Sequence, residues 1–348
     1  MGRRKFSSES LRSTEILLRG ITQMTNLRSL IVGCYPCDDW LSFNKSVAFL
    51  DMAWIHGSQF RNLKLDVPLE NMERILLTIP HFPVLEDLSI SIRIETTSFI
   101  HNNTISKVSA FINQQSSTLI RLAIDIPTLK VDQTLFFYGL GHLPKLIAVS
   151  IGQPIERLQP QPEGALDSFL VRHALAIREL RLYFHGPTDT HERPSPNAFF
   201  SSSIFRHDFP SLRVLDLGLS YWDHESQFSL ARNLAQYLNK FRCTLTSLII
   251  SDYVLCQPIV QELVSTLGGK DMILQSLKIH VHYLTCDLLD LLALQLPHLS
   301  ELDLDFNCLR YKNEGDQHII HHLRSYNVGF FFTTVTCISL LMRRCNFF

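Results

Sequence analysis

The stretch LPHLSELDLDFN, residues 296–307, decides how this chain folds. It reads as a helix end stopped by Pro297, a tight turn, and then a strand core of the form L-x-x-L-x-L set by Leu299, Leu302 and Leu304. In a strand, alternate side chains face opposite sides. Leu302 and Leu304 therefore point one way, and Glu301, Asp303 and Asp305 point the other.

The same core recurs along the chain. It begins at Leu27…Leu30-Val32 and continues through Phe60…Leu63-Leu65, Leu85…Leu88-Ile90, Leu119…Leu122-Ile124 and Leu146…Val149-Ile151. Ile177…Leu180-Leu182, Leu212…Leu215-Leu217, Leu245…Leu248-Ile250 and Leu274…Leu277-Ile279 follow, before the stretch quoted above. Taken at the middle position, successive cores lie 33, 25, 34, 27, 31, 35, 33, 29 and 25 residues apart. The mean of about 30 is at or just above the spacing of leucine-rich repeats. A constant core at a variable period is what helices and loops of unequal length produce.

Between the cores the apolar period changes from 2 to 3.6. In residues 228–241, Phe228, Leu230, Ala231, Leu234, Ala235, Leu238 and Phe241 share one broad helical face. Ile259, Val260, Leu263, Val264 and Leu267 do the same after Pro258, which suits a first helical turn. Thr285 is placed to cap the helix that Pro297 ends, and residues 8–24 carry a further helical pattern. Each unit is a helix and a strand that cannot bury its apolar side alone, so units must stack. The expected fold is α/β: a leucine-rich-repeat solenoid, or horseshoe, of about ten irregular repeats over residues 8–310. Its parallel sheet would line the concave face and its helices the convex face. Residues 152–164 and 186–197 are polar and Pro-rich and read as inserted loops.

Residues 311–348 are different in kind. Their apolar part, 328–342, is shorter than the ~20 residues of a membrane helix. Three readings stand: a strand that caps the array, a tail anchor, or residues from a faulty gene model that belong to no evolved fold.

Composition narrows the function. A net charge of −1 gives no general attraction to nucleic acid or anionic lipid, so neither is expected as a partner. Eight cysteines without an apolar leader read as reduced thiols in a cytoplasmic or nuclear protein. Cys34-Tyr-Pro-Cys37 has no second pair near it to complete a zinc site. His318, His321 and His322 lack the glutamate of a metalloprotease helix, and His280 with His282 reads as structural. Gly268-Gly269-Lys270 follows a helix rather than opening one, so it reads as a helix end and not a phosphate loop. No catalytic motif stands out; no enzyme activity, metal or cofactor is expected.

Recognition is expected from the residues between the strand leucines, which the solenoid presents on its concave side. These are Lys64, Asp66, Asp87, Arg121, Asp125, Glu179, Arg181, Tyr183, Asp216, Lys278, His280, Glu301, Asp303 and Asp305. The last unit is wholly acidic there, so a basic segment of a partner is the expected ligand.

The units LPHLSELDL, FPSLRVLDL, CTLTSLII and SSTLIRLAI resemble ribonuclease-inhibitor-like leucine-rich repeats, and more narrowly the repeat region of F-box/leucine-rich-repeat proteins. The resemblance covers about residues 10–310. It implies a repeat domain that holds a protein substrate for ubiquitination. The F-box that docks such proteins on the cullin-ligase adaptor has no counterpart before Leu27, so adaptor docking is assigned to no residue here. The alternative is a leucine-rich-repeat scaffold or GTPase-activating regulator unrelated to ubiquitin.

Overall fold

The computed structural model describes residues 26–33, 53–79, 81–94, 102–128, 131–154, 164–185, 202–219, 227–269 and 272–309, with 20, 50 and 200. The helical pattern of 8–24, Cys34 and Cys37, the 186–197 insertion, the histidines of 318–322 and the tail from 311 lie outside these residues.

In all ten cores the second and third apolar positions lie on strands, and the first sits two residues before the strand begins. Two compact units divide the chain, Met1–Gln153 with Glu163–Ala176, and Pro154–Pro162 with Ile177–Phe348. The first holds β1 (Ser29–Gly33), β2 (Asn62–Pro68), β3 (Asp87–Arg93), β4 (Arg121–Asp125) and β5 (Ala148–Pro154). Each pairs in parallel with the next in sequence order. The second unit repeats the scheme with β6 (Glu179–His185), β7 (Val214–Gly218), β8 (Ser247–Leu255), β9 (Ser276–Leu284) and β10 (Glu301–Leu309).

The helices of the first unit are α1 (Leu69–Thr78), α2 (Asn102–Gln114), α3 (Gln133–Gly139) and α4 (Ala165–His173). Those of the second are α5 (Gln227–Asn239), α6 (Gln257–Leu267) and α7 (Cys286–Gln295). Within each unit consecutive helices pack side by side. The fold is thus α/β, with parallel strands and helices in alternation.

A recurring turn sets the register. In Phe82-Pro-Val-Leu85, Leu143-Pro-Lys-Leu146, Phe209-Pro-Ser-Leu212 and Leu296-Pro-His-Leu299 the leucine N–H donates to the carbonyl three residues back, at 3.0–3.3 Å. Proline at the second position presets the turn. Within each unit the later strands are then tied to their predecessors at the same place. The Arg61 carbonyl accepts from the N–H groups of Glu86 and Asp87, and the Glu86 carbonyl from Ile120 and Arg121. In the second unit the Arg213 carbonyl accepts from Thr246 and Ser247, and that of Gln275 from Ser300 and Glu301. Helix length can vary because these bonds fix the following strand at its start.

The leucine face is the covered one. Leu88, Leu122, Leu180, Leu215 and Leu248 are at most 1% exposed, whereas the residues between them are mostly half-buried or exposed. The terminal cores are less covered: Leu30 and Val32 in β1, and Leu304 in β10, are only half-buried. Aromatic rings fill the space where helices end. Phe60, Phe82 and Trp54 form one cluster in the first unit, and Phe209, Tyr237 and Phe241 form one in the second.

Several local expectations are met. Thr285 Oγ1 accepts the Leu288 N–H at 3.1 Å, capping α7. α6 carries Pro258 in its first turn, and all five apolar residues predicted for its face are buried. It ends at Gly268, and Gly269 has φ +123°, a conformation that favours glycine. Two expectations need correction. Gly152, Gln153 and Pro154 belong to β5 and not to a loop, because the Gly152 carbonyl still accepts the Ile126 N–H at 2.8 Å. Tyr237, not counted on the apolar face of α5, is buried there among phenylalanines. Among the described residues no helix is long and apolar enough to cross a membrane.

One buried histidine gives the first unit a pH dependence. The Leu143 N–H donates to His173 Nε2 at 3.0 Å, so the ring proton sits on Nδ1 and donates to the Phe169 carbonyl at 2.8 Å. Burial lowers the His173 pKa below its ordinary 6.5, outweighing the Phe169 hydrogen bond; His142, stacked at 5.3 Å, and Arg172 act in the same direction as burial. A neutral, low-pKa histidine contributes its full stability above the unfolded value of 6.5. That contribution falls as pH drops below 6.5 toward the folded pKa, since the unfolded chain binds the proton more readily. Urea midpoints are expected to decline in that window. His173→Gln should flatten the decline, and an unchanged slope in the variant would assign it to other groups.

Candidate functional site

Parallel pairing in phase turns the residues between the leucines into rows across each sheet. In the second unit Arg181 pairs with Asp216, Asp216 with Ile249, Ile249 with Lys278 and Lys278 with Asp303. The row on one side runs Glu179, Val214, Ser247, Ser276 and Glu301. In the first unit Asn62, Asp87, Arg121 and Ala148 form a row, as do Lys64, Ser89, Ala123 and Ser150, and Asp66, Ser91, Asp125 and Gly152.

The first unit's candidates are dispersed. Lys64 and Arg121 are exposed, while Asp66, Asp87 and Asp125 are half-buried. Asp66 is engaged within the unit, 2.9 Å from Arg93, and Asp125 accepts from Ser91 Oγ at 3.4 Å. Two are basic and three acidic, so no strong field of one sign develops.

The second unit's candidates converge. Tyr183 Oη donates to Asp216 Oδ2 at 2.5 Å, and Ser251 Oγ donates to Asp216 Oδ1 at 3.3 Å. Asp216 lies on the open face yet is only 5% exposed, roofed by these neighbours rather than solvated. Burial raises its pKa above the usual carboxylate value, although Tyr183, Arg181 and Ser251 oppose the shift. Burial first, and then the bond to Asp216, push the Tyr183 phenol well up, so it remains a donor.

Next to this cluster β8 departs from regular pairing. Ile250 pairs with Ile279 and Val254 with His280, so four residues of β8 span one step of β9. Asp252 sits in this bulge at φ 63°, the one non-glycine residue with positive φ among the described residues. Aspartate tolerates that region better than most residues, yet the position still carries strain of the kind found at functional sites. Gly218 makes room for the arrangement: a Cβ there would stand 2.7 Å from Tyr183 Cδ1 and 3.2 Å from Asp252 Oδ2.

On β9 and β10 one of the three carboxylates of the acidic run is drawn into a bond with the neighbouring strand. Lys278 Nζ donates to Asp303 Oδ2 at 2.5 Å. This bond, then the charges of Asp303, Asp305 and Asp216, raise the Lys278 pKa despite some desolvation. Asp303 is therefore answered internally, and Glu301, exposed, and Asp305, half-buried, carry the outward charge. His280 Nε2 donates to Asn307 Oδ1 at 2.9 Å, and Asn307 Nδ2 donates to His282 Nδ1 at 3.3 Å. The two histidines are thus bound to the asparagine that closes the decisive stretch, in keeping with a structural role. Among the described residues no group of three His, Cys, Asp or Glu side chains is placed to hold a metal ion.

The open face of the second unit is a polar floor with a charge surplus. Arg181 and Lys278 face Glu179, Asp216, Asp252, Glu301, Asp303 and Asp305. Asp252, Gly218 and Asn307 escaped sequence reasoning as members of this site. A glycine at the end of FPSLRVLDLG and the Ser251-Asp252 pair that breaks the apolar alternation after Leu248-Ile249-Ile250 are the signals that mark two of them. No protein-family model and no curated protein matches the sequence.

Proposed function

We propose that this chain is a protein-interaction module: a leucine-rich-repeat solenoid whose strands line the concave side of a horseshoe and hold a partner protein. The observation that carries the reading is the in-phase register that gathers Arg181, Tyr183, Asp216, Lys278, Asp303 and Asp305 on neighbouring strands. Regular leucines beneath and irregular polar residues above are the division of labour of a repeat-built binding surface. The residues differ from strand to strand, as specific recognition requires, while the scaffold under them does not.

The partner is a protein bearing a basic segment, laid against Glu301 and Asp305 with Arg181 and Tyr183 supplying hot-spot side chains. By its resemblance to F-box/leucine-rich-repeat proteins, the module is the substrate-recognition region of a ubiquitin-ligase adaptor of the cytoplasm or nucleus. The test is affinity purification of the full chain with mass spectrometry, repeated with Glu301→Lys plus Asp305→Lys. The expected result is a partner whose affinity falls on the order of tenfold in the double variant and weakens with added salt. Adding Asp303→Lys costs more, since it also breaks the bond to Lys278. Equal recovery by wild type and variants removes this surface from recognition. Recovery of a small GTPase whose hydrolysis the chain accelerates replaces the ubiquitin reading with a regulatory one.

A further inference from the structure

β10, the last described strand of the second unit, has one edge and part of its leucine face uncovered. It pairs with β9, and among the described residues nothing pairs with its other edge. In this register Leu304 lies beside Ile279, and Phe306 beside Val281. Ile279 and Val281 are 2% and 1% exposed, whereas Leu304 and Phe306 are only half-buried. An open strand edge is a template for a further strand, and the end units of repeat arrays need a cap.

The chain beyond β10 repeats the motif of the units before it. Val335-Thr-Cys-Ile338-Ser-Leu340 has the L-x-x-L-x-L form. Its middle position comes 36 residues after Leu302, one more than the longest spacing among the ten cores. Phe332 stands three residues before Val335, as Phe82 and Phe209 stand before Leu85 and Leu212. Phe331 stands four before it, as Phe241 does before Leu245. Phe82, Phe209 and Phe241 are all buried where helices give way to strands. Upstream, Ile319, Ile320 and Leu323 recur at helical spacing. The length fits as well. Residues 310–334, 25 in number, separate the end of β10 from Val335, and residues 94–118, also 25, separate the end of β3 from Leu119. The latter interval holds α2, so the same length suffices for a helix and a return to the strand edge.

We infer that the open edge of β10 is covered by this chain's own residues 316–342, as an eleventh helix-and-strand unit. With Ile338 beside Leu302, in the phase of the described pairs, Leu340 falls beside Leu304 and Met342 beside Phe306. The two half-buried side chains of β10 are then covered. On the open face Cys337 falls beside Glu301 and Ser339 beside Asp303. The acidic run thus lies within the sheet rather than at its rim, whatever partner it meets. A second copy of the chain, adding its own strand to the same edge, is the competing occupant.

Glu301→Cys in the full chain tests the register. Glu301 is exposed, so the substitution leaves the core intact. Adjacent strands bring paired backbones to about 4.8 Å, within reach of a disulfide. Oxidation with copper–phenanthroline and peptide mapping are expected to show the introduced thiol joined to Cys337 within one chain. In parallel, Ile338→Asp with Leu340→Asp is expected to speed amide hydrogen exchange across 301–309 by about tenfold or more, and to leave 247–255 unchanged. The unchanged β8 segment separates undocking from loss of fold. A disulfide between two chains overturns the inference in favour of a second copy. No bond to Cys337, or exchange across 301–309 unmoved by the double substitution, overturns it outright.

Discussion

Leu248→Ala is expected to destabilise the protein by about 2–5 kcal/mol, and the equivalent Leu30→Ala by about 1 kcal/mol or less. Both leucines hold the middle position of the same motif, so the motif alone predicts equal effects. Leu248 is 0% exposed, whereas Leu30 in β1 is half-buried. Truncating Leu248 removes buried methyl groups and leaves a cavity that close-packed neighbours cannot collapse into. Truncating Leu30 removes surface that water already reaches. Urea unfolding followed by circular dichroism measures both. Equal shifts in midpoint would show that β1 is covered as fully as β8.

Tyr183→Phe is the second large effect, expected to cost about 1.5–3 kcal/mol at neutral pH. The substitution keeps the ring and takes away the donor that meets Asp216 Oδ2 at 2.5 Å. Asp216 is then left buried with Ser251 Oγ donating to its other oxygen. The folded pKa of Asp216 already stands above 3.8, so folding favours the protonated acid. Stability from this group is present below the unfolded pKa and is lost as pH rises through the folded one. Without Tyr183 the penalty on the carboxylate grows. The gap between wild type and variant should therefore be widest above the folded pKa of Asp216 and narrow as pH falls toward 3.8. A gap independent of pH would mean that the Tyr183 hydroxyl stabilises the fold without regard to the charge on Asp216, and no gap at all that Tyr183 contributes only its packing.

The two substitutions divide scaffold from surface. Leucine truncation acts on parts shared by every unit, while Tyr183→Phe acts on a pairing that occurs at one place. Loss of partner binding in Tyr183→Phe at a temperature where the fold is intact would connect the cluster to recognition.

Much of the architecture is legible in one dimension. The period-2 leucine pattern placed all ten strands, and Pro258, Thr285, Gly268 and Pro297 marked helix ends that the structure reproduces. These are local effects: strand alternation, first-turn proline, side-chain capping and the turn preference of proline each act within a few residues. Which residues would share the open face also followed from alternation alone.

What those residues do to one another did not follow, because it depends on atoms about 25–35 residues apart in sequence. Alternation places Asp216, Asp303 and Asp305 on one face as equals. Only packing across the strands buries Asp216 beneath Tyr183 and Ser251, ties Asp303 to Lys278, and leaves Asp305 outward. The bulge that brings Asp252 to Gly218 is likewise a mismatch between β8 and β9, which neither strand encodes alone. For LPHLSELDLDFN, then, the sequence determined which side each residue faces, since that needs only backbone geometry. The tertiary structure decided which of its carboxylates meets a neighbouring strand's cation and which of them faces out.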